Sequence, residues 1–131
     1  MKFIPPRKQL ERQARRGFRG YPIGTVAFYG PDAALATKAA VGIVAEAGAE
    51  PVAVERWFSE RGDVRSDGTI GRSILAYLEA HRVRSVMLSP GIIGCPHEEG
   101  VDYPLGAECP RCPFWHGKDR WSGQERHPPL S

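Results

Sequence analysis

The sequence predicts an α/β fold: a small open parallel sheet of β-α-β-α-β order, preceded by a basic helical arm and followed by a zinc-knuckle module. Three observations lead to it. Short apolar runs of strand type alternate with two longer stretches of helical spacing, and connections of that length imply parallel pairing through right-handed crossovers. Positive charge gathers in the first 20 residues, and all three cysteines fall between positions 95 and 112.

A chain of 131 residues has room for one ordinary domain. The expected division is a basic arm over 1–20 and a single α/β domain over 21–131, with the zinc module at 91–121. A hydrophobic content of 41% and a charged content of 25% exclude wholesale disorder. No run approaches a membrane span, and the charged start lacks the apolar core and cleavage site of a signal peptide, so a cytoplasmic protein is expected. An odd cysteine number in that compartment favours metal binding over disulfides.

In the arm, Pro5 and Pro6 precede RKQLERQARR and Gly17 follows, the punctuation of a short helix. Leu10, Ala14 and Phe18 make a thin apolar stripe on a cationic surface. Residues 1–20 hold seven cations against Glu11 alone, a net +6, while 21–131 sum to −3. Arg7, Lys8, Arg12, Arg15, Arg16 and Arg19 are therefore candidate contacts to a nucleic-acid backbone, RNA or single strand rather than duplex. A solvated tail, or a contact with an acidic protein partner, is the alternative.

The body begins with TVAFY, between Gly24 and Gly30, apolar on both alternating faces as in a strand buried on two sides. Residues 34–48, ALATKAAVGIVAEAG, carry Leu35, Ala39, Ile43 and Ala47 on one helical face, with Gly48 as the stop. PVAVERWF reads as a second strand, at a sheet edge because Glu55 and Arg56 interrupt it. SERGDVRSDG is a loop ending in an Asp67 cap, followed by a helix over about 69–82 built on Ile70, Ile74 and Leu78. SVMLS is the third strand, expected to be central. Residues 117–131, polar and ending in prolines, are expected to be loose.

The chemistry lies in CPHEEGVDYPLGAECPRCPFWH, residues 95–116. Cys109 and Cys112 are spaced so that one tight turn aims two thiolates at one tetrahedral ion. Cys95 and His97, two apart, point to the same side in extended chain. Together they form a Cys3His set suited to structural zinc; His116, four after Cys112, is the competing fourth ligand. This last third of the chain has few aliphatic residues, so burial alone would struggle to order it. Structural zinc supplies on the order of 10 kcal/mol of apparent folding free energy in such modules. Phe114, Trp115 and Trp121 are expected to form the module's apolar core, or to stack on bases beside Lys118 and Arg120.

An enzyme or small-ligand binder is the other class considered. It would use the carboxyl edge of the sheet, where Asp32, Asp63, His97 and Glu99 are candidate contributors. His97, Glu99, Cys109 and Cys112 resemble the H-x-E and C-x-x-C set of zinc nucleobase deaminases, which would make Glu99 a proton shuttle. The chain departs from that pattern in its short Gly/Pro-rich spacer and in Cys95, which would occupy the position of the water. No G-x-G-x-x-G, Walker or G-x-S-x-G motif occurs, which leaves nucleotide-cofactor and serine-hydrolase readings without support.

Overall fold

The computed structural model describes residues 4–116. The elements run α1 (Pro6–Arg15), β1 (Ile23–Tyr29), β2 (Lys38–Val44), β3 (Ala53–Phe58), α2 (Gly68–Ala80) and β4 (Ser85–Ile92), with single 3-10 turns at Val64–Ser66 and Pro113–Trp115. The strands form one sheet in the order β3-β2-β1-β4. β1 pairs antiparallel with β2, and β2 antiparallel with β3. β4 pairs parallel with β1.

The described residues thus form an α/β fold with two helices, but the parallel β-α-β-α-β order is corrected. Residues 34–48 do not form a helix; their middle is β2. Small and β-branched residues make both periods legible there, and strand spacing brings Ala39, Val41 and Ile43 onto the core face, opposite Phe28, Val26 and Gly24 of β1. Leu35, the start of the helical stripe, is exposed. Gly42 would cost a helix about 1 kcal/mol. In the strand its missing side chain is used: a Cβ there would stand 3.0 Å from Thr25 Oγ1. Gly48, with φ of 73°, belongs to the turn between β2 and β3 and ends no helix.

One further placement changes: β4 lies at an edge of the sheet, not in the centre. Trp57 faces the core, its ring 5.7 Å from that of Tyr77 on α2. β3 is an edge strand as its charges imply, and Asp67 caps α2 by accepting the N–H of Ile70 at 3.0 Å.

Because β2 runs opposite to both neighbours, β1, β3 and β4 still point the same way, and their carboxyl ends share one rim. The core joins Val26, Phe28, Val41 and Ile43 of the sheet to Ile74 and Leu78 of α2 and Leu10 of α1. The arm is therefore a docked helix from Pro6 onward. Gly71 permits it: a Cβ at that position would come within 2.6 Å of Pro6 Cβ. No helix among the described residues is long and apolar enough to cross a membrane. Trp121, Lys118, Arg120 and the rest of 117–131 lie outside the described residues.

Candidate metal centre

The first half of the site is an extension of the sheet. Beyond β4, Ile93 donates its N–H to Phe28 O at 2.9 Å, and Gly30 donates to Gly94 O at 2.8 Å. Cys95 thus leaves backbone that is already paired, and the N–H of His97 donates to its sulfur at 3.3 Å. The second half is the turn Cys109–Cys112, prolonged by the 3-10 turn in which Trp115 N–H reaches Cys112 O at 3.1 Å. Trp115 is buried, and its indole N–H donates to Gly30 O at 2.8 Å, so both halves are pinned to the end of β1.

Between them the four ligand atoms converge. His97 Nδ1 stands 3.3 Å from Cys95 Sγ, 3.4 Å from Cys109 Sγ and 3.5 Å from Cys112 Sγ, and all four donors lie within 4.8 Å of one another. Donors on a tetrahedral zinc are about 3.6 Å apart from nitrogen to sulfur and about 3.8 Å from sulfur to sulfur, at ordinary bond lengths. The donor set and its spacing therefore fit one ion. No disulfide forms; the three cysteines are free and buried.

Electrostatics set a condition on the cluster. Burial, reinforced by Cys95 and Cys109 beside it, pushes the Cys112 thiol up to about 12, and burial raises Cys95 as well. These groups favour the neutral thiol on their own, and a divalent metal would reverse that preference.

His116 is elsewhere: its Nε2 lies 2.6 Å from the carbonyl oxygen of Cys109, bracing the turn from behind. Among the expected aromatic core residues, Trp115 fills the module while Phe114 sits partly exposed against it, ring centroids 5.0 Å apart.

The acidic loop serves as a brace. Glu98 N–H donates to Asp102 Oδ2 at 2.7 Å, and Gly106 N–H donates to Glu99 Oε2 at 2.8 Å. Lys38, at the start of β2 and only 4% exposed, donates from Nζ to Pro96 O and to Glu98 Oε1, each at 3.1 Å. Arg56 pairs with the same carboxylate oxygen. Burial opposes the charge on Glu98, but Lys38 and Arg56 outweigh it and hold its carboxyl below the usual range. Lys38 was not among the residues expected at the site. Its one signal in the sequence is a lysine inside an apolar run.

The other candidate carboxylates are occupied locally. Asp32 Oδ1 accepts the N–H groups of Ala34 and Leu35 at 2.8 and 3.0 Å. Asp63 is bound by the Arg65 guanidinium, at 2.8 Å to Oδ1 and 2.7 Å to Oδ2, and caps the backbone of Ala36 and Arg65. In the arm, Arg7 pairs with Glu11 at 3.4 Å, while Lys8, Arg12, Arg15, Arg16 and Arg19 are exposed.

Compared with models of protein families, with curated proteins and with solved structures, the chain gives no match. Fold and site define a class: an α/β protein with a mostly antiparallel four-stranded sheet and a cluster of three cysteines and one histidine at metal-binding distance.

Proposed function

We propose that Cys95, His97, Cys109 and Cys112 hold a structural zinc ion that staples the residues after β4 onto the carboxyl rim of the sheet. The carrying observation is the convergence of three sulfurs within 3.5 Å of one imidazole nitrogen. Four protein donors leave no open position for water or substrate, so the ion organises structure and performs no chemistry. The braced position of Glu99 weighs against a deaminase-like role. The test is elemental analysis of purified protein: one zinc per chain is expected, falling to none in Cys112→Ser, and metal-free wild type with intact fold would overturn the reading.

The exposed cations of α1 favour a second reading, contact with single-stranded nucleic acid, RNA in particular. Leu10 anchors the helix, so Lys8, Arg12, Arg15 and Arg16 are presented on an ordered surface, which supports backbone neutralisation. Titration of a fluorescent single-stranded RNA at two salt concentrations tests it. Charge reversal at Arg12, Arg15 and Arg16 should lower both affinity and salt slope, and unchanged values would remove the arm from any contact. A cytoplasmic setting, which keeps thiols reduced for metal, and a single domain with the arm docked on it belong to the same proposal.

A further inference from the structure

We propose that the outer edge of β4 is a docking groove for an extended, acidic peptide strand of a partner protein. The groove is separate from the metal centre and does not depend on the zinc reading. β4 has β1 as its one neighbour in the sheet. Arg84 and Ser85 both donate to Pro22 O, at 2.8 and 3.4 Å, where the strand begins, and the parallel register from Ile23↔Ser85 to Val26↔Leu88 then puts the N–H groups of Ser85 and Met87 on the β1 side. Backbone groups alternate along a strand, so Val86 and Leu88 turn theirs outward. Among the described residues no strand meets them there.

Alongside that edge lies a cavity of about 360 Å3, between β4 and the end of α1, walled by Ala14, Gly17, Phe18, Val86, Met87 and Leu88. Two large apolar side chains stand open in its wall, Phe18 at 68% and Met87 at 60% exposure. Natural edge strands are blunted by lysine, proline or a bulge. Here Pro90 and the register shift opposite Val26–Phe28 come only further along, leaving Met87 and Leu88 without such protection, while Ser85 and Val86 are themselves buried.

Charge selects the occupant. Among the described residues no acidic one lines the groove. Arg19 N–H donates to Ser85 Oγ at 2.7 Å, which places Arg19 at one end. Arg84 lies beside it, its Nη1 3.3 Å from where a Cβ on Gly20 would stand. A strand with apolar residues for the floor and carboxylates for these arginines satisfies both. A polypeptide also matches the alternating N–H and C=O of the edge, whereas a phosphodiester chain has no backbone amide donor to offer.

The test uses the isotope-labelled full chain as purified, titrated with a short capped peptide of alternating valine and glutamate. The same peptide with lysine for glutamate, and oligouridylate, serve as comparisons. The glutamate peptide should shift the amides of Val86 and Leu88 and slow their exchange. Leu88→Pro removes one outward N–H at a position where an edge strand tolerates proline, and Arg19→Glu with Arg84→Glu removes the charge match. Each change should weaken binding by about tenfold, the scale of one lost hydrogen bond or ion contact. Equal binding of the two peptides, protection of these amides by oligouridylate alone, or no protection by any probe would overturn the proposal.

Discussion

The indole N–H of Trp115 reaches the carbonyl oxygen of Gly30 across 85 positions of sequence, at 2.8 Å and in a buried setting. It ties the cysteine turn to the end of β1. Trp115→Phe keeps an aromatic ring, though a smaller one, and leaves that oxygen unpaired; unfolding free energy should fall by about 1–3 kcal/mol from the orphaned carbonyl alone. Urea denaturation measures the loss, and the metal content should stay that of wild type, which separates the tether from the ligands.

The two histidines should behave oppositely. His97→Ala removes a donor atom, and elemental analysis together with a colorimetric zinc-release assay should show loss of the ion. His116→Ala removes the contact with Cys109 O and should retain metal at the wild-type stoichiometry. The reverse pattern would reassign the fourth ligand.

Lys38 ties β2 to the metal loop through Pro96 O and Glu98. Lys38→Met leaves the Pro96 carbonyl without its donor and Glu98 with Arg56 alone, a loss of about 2 kcal/mol. Glu98→Gln in the same background should cost less than it does alone, because the partners share one network. Thermal melts of the two single variants and the double variant give the coupling.

Asp63 sets an acid limit. The Arg65 guanidinium, working against partial burial and helped by two backbone N–H groups, holds its carboxyl well below the usual carboxylate range. Its contribution is therefore complete above the unfolded pKa of about 3.9 and fades as pH falls toward the lower folded value. Asp63→Asn should be less stable than wild type near neutrality, and the gap should narrow below about pH 4, where the wild-type carboxylate of the unfolded chain takes up its proton. Denaturant midpoints across that range, at one fixed zinc concentration, provide the comparison.

Local signals were readable where one residue type has one use. Asp67 before a run with Ile70, Ile74 and Leu78 marks the cap and inner face of α2, and the charges in VERWF mark an edge. The cysteine spacing, with His97 two after Cys95, marks the four donors that converge. What misled was the run from Ala34 to Gly48. Alanine satisfies a helical and a strand period alike, and the choice was made by pairing partners on both sides, Phe28 and Trp57 opposite Ala39, which lie far off in sequence. That one change inserts an antiparallel strand between β1 and β3 and leaves β4 at the edge. The roles of Lys38 and Gly30 were equally hidden, because they act on segments 58 and 85 positions away.

The two halves of the donor cluster are anchored differently. Cys95 and His97 follow paired backbone beyond β4, whereas Cys109 and Cys112 sit on a proline-bearing bend held by the Trp115 indole and by His116 against the Cys109 carbonyl. An attacking chelator should consequently peel the later pair off first, leaving a half-open intermediate in which the earlier pair still grips. Exchange of the ion would then follow the breathing of that bend, and loosening Trp115 should hasten release while leaving the strand side undisturbed.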